Sequence, residues 1–80
     1  MVTYTVIEKQ VTDQGQQSIL QQSYIDENQA LSDMFSRLSY AAIGTLPYHS
    51  AHLITFDGTN VYIKAGMAFD RSPEPESVEE

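Results

Sequence analysis

Apolar and polar residues alternate with a period of two at the start of the chain. Val2, Tyr4 and Val6 fall on one side and Thr3, Thr5 and Ile7 on the other. The β-branched and aromatic content makes this segment a strand. Thr12-Asp13-Gln14-Gly15-Gln16 then reads as a hairpin turn in which Gly15 supplies the positive φ of a three-residue loop, and residues 18–24 return. Pairing Thr12 with Gln16 sets Val6 opposite Gln22, Tyr4 opposite Tyr24 and Glu8 opposite Leu20. It also gathers Val2, Tyr4, Val6, Leu20 and Tyr24 on one face. A two-residue loop would put Ile19 and Ile25 there instead, but Gln-Gly is a poor turn for so short a loop.

The period changes after Asp26. Leu31, Met34, Phe35, Leu38 and Ala42 recur at i, i+3, i+4, i+7 and i+11, one face of a helix over residues 27–43, while Asn28, Ser32, Asp33, Ser36 and Arg37 fall away from it. Asp26 and Gln29 have the D-x-x-Q spacing of a capping box, and Glu27 places negative charge in the first turn, where the macrodipole favours it. Gly44 suits the left-handed residue after the last turn, and Pro47 prevents continuation.

Residues 49–56 and 59–65 flank Asp57-Gly58, the strongest hairpin signal in the chain. Loops of two or four residues give different pairs but the same faces. His52, Ile54, Phe56, Val61 and Ile63 lie together, opposite Ala51, Leu53, Thr55, Tyr62 and Lys64.

The order is therefore ββαββ. One helix with one apolar stripe and two hairpins predict an α+β two-layer sandwich, a four-stranded sheet with the helix packed on one face. The second and third strands run parallel if they are neighbours. The domain is expected over residues 1–69. Residues 70–80 hold five acids and one base with two prolines, which predicts a disordered acidic tail. If the Ile54 face of the second hairpin turns to the helix, with His52 beneath it, the far side carries Thr3, Thr5, Ile7, Val11, Ile19, Leu53 and Tyr62. That side is too apolar to be left in water. A single layer of this size supplies only about 3–5 kcal/mol of stability. A homo-oligomer, a dimer in the first instance, is expected through Ile7, Ile19, Leu53 and Tyr62, by stacking of sheet faces or pairing of strand edges.

Composition narrows the chemistry. The 80 residues contain no cysteine, which excludes disulfides, Cys-based zinc sites and thiol catalysis. A formal charge of −7 with only four basic residues makes nucleic acid a poor partner, since phosphate binding needs clustered Lys or Arg. No run approaches the ~18 apolar residues of a membrane span, and no basic stretch followed by an apolar one opens the chain. A cytoplasmic protein without a membrane partner is expected.

The histidines, His49 and His52, have H-x-x-H spacing, but on a strand a separation of three sends their side chains to opposite faces. No third ligand accompanies them, so no metal site and no cofactor are expected. Tyr48-His49-Ser50 with Asp57 or Asp70 has the letters of a hydrolase triad without a nucleophile elbow or an oxyanion hole. The four glycines are scattered and form no phosphate loop. Tyr4 opposite Tyr24 is a cross-strand aromatic pair before it is a base-stacking platform, and Tyr40 and Tyr48 are expected to border the core.

Asp26-Glu27-Asn28-Gln29-Ala30, Phe35, Leu38, Tyr40-Ala41-Ala42-Ile43, Pro47, His49-Ser50-Ala51, Leu53-Ile54 and Gly58 together resemble small proteins without assigned activity from Gram-positive bacteria and their phages or prophages. The pattern covers roughly half the chain. The resemblance implies a phage-associated or accessory setting and transfers no catalytic residue. The residues point to a non-enzymatic interaction or assembly module that associates with itself through its sheet, with room for a protein partner. The alternative is a small-ligand or nucleic-acid-related accessory protein using the end of the sheet at Tyr48, His49 and His52.

Overall fold

The computed structural model describes residues 2–71. Its elements are β1 (Thr3–Val11), β2 (Gln17–Tyr24), α1 (Glu27–Ile43), β3 (Tyr48–Phe56) and β4 (Val61–Asp70). The strands form one antiparallel sheet in the order β2-β1-β3-β4, and α1 packs on one of its faces. This is the expected α+β ββαββ sandwich. β2 and β3 do run in the same direction, but β1 lies between them, so α1 carries the chain across β1.

The first hairpin has the register set by its turn. Tyr4 pairs with Tyr24, Val6 with Gln22 and Glu8 with Leu20. Thr12 N–H donates to the Gln16 carbonyl at 2.9 Å, and Gly15 takes φ +83°. The second hairpin uses the four-residue loop, pairing Phe56 with Val61 and Thr55 with Tyr62. Asp57 Oδ1 closes that loop by accepting from Thr59 N–H and Asn60 N–H at 2.9 and 2.8 Å. These two bonds hold the Asp57 carboxyl below its ordinary value.

The second hairpin is turned over relative to the expectation. Its Leu53 face lies under the helix, and its Ile54 face points away. Val6 pairs with Leu53, and these two join Ala30, Met34 and Ala51 in the buried core, with Tyr4, Tyr24, Leu31, Leu38 and Ala65 packed against it. Leu53 is 0% exposed. It therefore cannot belong to a free association face, and Tyr62, opposite Thr55, shares its side of the sheet. Small residues permit the choice. The contact between α1 and the central strands is built on Ala30, Ala41 and Ala51, all fully buried, and Ile54, Phe56 and Ile63 would have held the helix off the sheet.

The helix is also rotated. Met34 is buried as expected and Leu31 and Leu38 are half-buried, but Ala30 and Ala41 complete the inner line and Phe35 is left 59% exposed. Ala42 and Tyr40 are exposed as well, so Tyr40 does not border the core. The rotation brings Asp33 and Arg37 half under cover.

Both helix ends differ in detail from the sequence reading. The Asp26 side chain caps the Asn28 N–H at 3.0 Å, not that of Gln29. Gly44 is extended at φ −81° and not left-handed. A left-handed reversal is unnecessary because Arg71 does the capping. Its Nη2 donates to the Ala41 and Ala42 carbonyls at 2.8 and 3.2 Å, and its guanidinium lies 5.3 Å from the Phe69 ring centre. This puts a cation at the negative end of a helix whose last turn has no basic residue of its own. Asp70 closes β4 and Arg71 is tied to Pro47 O through its own N–H, so the domain runs past the expected limit at residue 69. The rest of the expected tail, residues 72–80, lies outside the described residues.

Two stability measurements follow from this packing. Leu53→Ala is expected to lower the unfolding free energy by about 2–5 kcal/mol in urea titration, the range of a truncated core leucine. Arg71→Ala is expected to lower it by about 1–2 kcal/mol, with partial recovery in Arg71→Lys, because two carbonyls lose a charged donor.

Candidate functional site

Two features of the molecule call for a functional account: a line of polar side chains beneath the helix, and the sheet face that no element of the described residues covers.

The polar line begins with Glu8, at an inward position of β1. Its residue is 6% exposed. Glu8 Oε1 accepts from Arg37 Nη1 at 2.7 Å, and Oε2 lies 2.6 Å from His49 Nε2. An ionised carboxylate only accepts, so His49 Nε2 carries the hydrogen of that bond. Gln10 Nε2 donates to Oε2 at 3.3 Å. Arg37 Nε donates in turn to Asp33 Oδ1 at 2.8 Å, and Tyr24 O–H donates to Asp33 Oδ2 at 2.8 Å. The line thus runs from β3 through β1 to α1 and back to β2.

Burial pushes the Glu8 carboxyl upward, but hydrogen bonds from His49, Arg37 and Gln10 and the Arg37 charge outweigh it, leaving the group below its ordinary value. For Arg37, the bond to Asp33 dominates and raises the guanidinium further. The Asp33 carboxylate, accepting from Tyr24, likewise raises that phenol.

This line ties the helix to the sheet. An imidazole–carboxylate pair serves as a general base only where a substrate can reach it, and the His49 and Glu8 side chains are 6% and 7% exposed. The residues expected to share a site with His49 are elsewhere. Tyr48, Ser50 and His52 alternate onto the opposite face of β3. Ser50 is therefore not within a triad with His49, and Asp57 is held in its turn. His52 is not under the helix. It pairs with Ile7 on one side and Gly66 on the other. Gly66 takes φ +141°, and a Cβ there would come within 2.5 Å of the His52 ring and the Ala51 carbonyl. The Tyr48/His49/His52 end of the sheet is thus divided between two faces and does not form one ligand site. Among the described residues no group of three or more His, Asp or Glu could hold a metal ion, and no helix is long and apolar enough to cross a membrane. An open depression of about 310 Å³ lies at the β2–α1 corner, lined by Thr3, Ser23, Tyr24, Ile25 and Gln29. It contains no charged group and does not involve His49.

The uncovered face follows from the strand registers. β1 contributes Ile7 and Val11, β2 contributes Ile19, β3 contributes Ile54 and Phe56, and β4 contributes Val61 and Ile63. Ile7 and Ile19 are where the sequence placed them, whereas Leu53 and Tyr62 are replaced by the apolar residues of the reversed hairpin. Val61 and Ile63 are 65% and 66% exposed. By strand alternation, the charged residues on this face are Lys9, whose Nζ lies 5.6 Å from the Tyr48 ring centre, and Asp70 at one end. Val6, Met34 and Leu53 stabilise one side of the sheet only.

Sequence reasoning missed Glu8 and Arg37 as partners, although a signal existed. An acid at an inward position of an alternating strand needs a buried donor, and Arg37 is the one basic residue on the helix. Comparison with protein-family models, curated proteins and solved structures finds no match.

The lowered Glu8 value fixes the sign of a pH effect. The network contributes stability above the ordinary carboxylate value of 4.5 and loses it as pH falls through the lower folded value. The urea midpoint is expected to drop between about pH 5 and 3. Glu8→Gln should start lower at pH 7, where Arg37 loses its buried counter-charge, and should vary less across that interval.

Proposed function

We propose that this chain is a non-enzymatic assembly module that joins copies of itself through the uncovered face of its sheet. The observation that carries the reading is that face, with Ile7, Ile19, Ile54, Phe56, Val61 and Ile63 presented together on a sheet whose other side already holds the helix. Apolar patches of this extent mark interaction sites more often than inert surface.

Size and charge favour a second copy as the occupant. Four strands about 4.8 Å apart and nine residues at about 3.3 Å each span roughly 600 Å². Two such faces stacked bury on the order of 1,200 Å², the lower limit of a specific interface. The chain carries −7 overall, yet this face holds one base and one acid near its margins. Apart from Lys9 and Asp70, the described residues of this face are uncharged, so two copies can meet here with little opposing charge. An accessory setting of the kind the sequence resemblance implies is compatible with such a module.

Sedimentation at micromolar concentration is expected to give a species heavier than the 9.0 kDa chain. Val61→Lys combined with Ile63→Lys should abolish face stacking with an unchanged circular dichroism spectrum, because both side chains are exposed in the single subunit. A wild-type protein that sediments as a 9.0 kDa monomer overturns the proposal.

A further inference from the structure

We propose that the outer edge of β2 is a second contact, at which two copies pair β2 with β2 in antiparallel fashion and continue the sheet to eight strands. The inference takes its partner from the self-association reading but uses a different surface.

Among the described residues no strand pairs with the outer side of β2 or of β4, and the two are built differently. β4 carries Lys64, drawn to Glu27 on the helix, a register shift against β3 between Leu53 and Ile54, and Gly66 at φ +141°. A lysine, a bulge and a glycine kink are the devices that keep an edge from acquiring another strand. β2 has none of them. Its sequence, QSILQQSY, contains no charge, proline or glycine. Its pairing with β1 runs without a shift from Val11–Gln17 to Tyr4–Tyr24, and residues 17–23 are exposed throughout.

The hydrogen-bond phase of the hairpin identifies which groups face out. Thr12 N–H bonds to Gln16 O, so antiparallel alternation directs Ser18, Leu20 and Gln22 toward β1. Gln17, Ile19, Gln21 and Ser23 then turn both N–H and C=O outward. A two-fold axis at Leu20 pairs these groups over the whole strand, Gln17 with Ser23 and Ile19 with Gln21 of the other copy. It also places Leu20 opposite Leu20 in a close, non-hydrogen-bonded pair. Leu20 is 51% exposed on the helix side of the sheet, and this register covers it with an identical side chain. Neither strand brings charge to the seam, although each chain carries −7. The two-fold axis of edge pairing is normal to the sheet and that of face stacking lies in its plane. The two contacts together close as a tetramer of dihedral symmetry, with two eight-stranded sheets stacked and helices outside.

Gln21→Pro and Leu20→Cys test the edge. Proline at 21 removes an outward N–H and leaves the ladder to β1 in place, so the variant is expected to lose one association step, from tetramer to face-stacked dimer. The Val61→Lys, Ile63→Lys protein should retain the edge dimer, and adding Gln21→Pro to it should give monomer. The chain contains no cysteine, so Leu20→Cys is expected to form a disulfide-linked dimer on mild oxidation while Met67→Cys, on β4, does not. Should Gln21→Pro fail to fold, the cross-link decides. Wild-type assembly in Gln21→Pro together with unlinked Leu20→Cys overturns the edge and leaves the face reading standing. Loss of all assembly in Gln21→Pro, with none in the lysine variant, upholds the edge and overturns the face. A monomeric wild type overturns both. An edge built for a strand of other chemistry would leave purified Leu20→Cys unlinked, which also overturns the proposal.

Discussion

The Glu8 carboxylate is the constraint from which the rest of the arrangement follows. A charge taken out of water between a helix and a sheet costs several kcal/mol unless donors meet it there. Here the donors come from both neighbouring layers, Arg37 from α1 and His49 from β3. To present Arg37 the helix turns its polar flank partly inward, and Phe35 is carried out into solvent. To present His49, β3 directs its odd-numbered residues toward the helix, which puts Leu53 in the core and Ile54 and Phe56 outside. The apolar character of the uncovered face is therefore the counterpart of satisfying one buried acid.

The same choice explains why the core is narrow. Its largest fully buried side chains are Met34, Leu53 and Val6, and alanines on both layers let the helix approach closely enough for Arg37 and Glu8 to meet at 2.7 Å. Larger residues in those places would widen the gap and strand the carboxylate. The chain thus places Ile54, Val61 and Ile63 where a subunit alone gains little from them, and a small domain with few buried residues has reason to gain stability by association. The bulge at β4 shows that one outer edge is protected, whereas the β2 edge is not, and on the Ile54 face Lys9 is folded over Tyr48 while Val61 and Ile63 stay exposed.

A non-enzymatic reading agrees with how the polar groups are used. Among the described residues, Glu8, Asp26, Glu27, Asp33, Asp57 and His49 are committed to bonds or ion pairs that hold elements together. Glu8 and Asp33 tie the helix to the sheet, Asp57 closes a turn, Asp26 caps a helix, and the ring of His52 lies over the backbone at Gly66. The exposed polar side chains of β2 are amides and hydroxyls, which suit backbone pairing better than proton transfer.

Local patterns were enough to determine the five elements, the helix limits, the Tyr4–Tyr24 register and the faces of the second hairpin, because each depends on neighbours a few residues away: the alternation of a strand, the 3.6 period of a helix, the turn chemistry of Gly15 and Asp57-Gly58. Which face of the second hairpin meets the helix was not determined that way, since both faces are apolar and either satisfies the same pattern. The same holds for the helix, whose stripe from Leu31 to Ala42 gave no reason to turn toward Arg37. Those decisions belong to the tertiary structure. They turn on whether Glu8, His49 and Arg37, 29 and 41 residues apart from Glu8 along the chain in the case of Arg37 and His49, can reach one another in space, and a buried charge enforces that meeting more strongly than hydrophobic area distinguishes one apolar face from another.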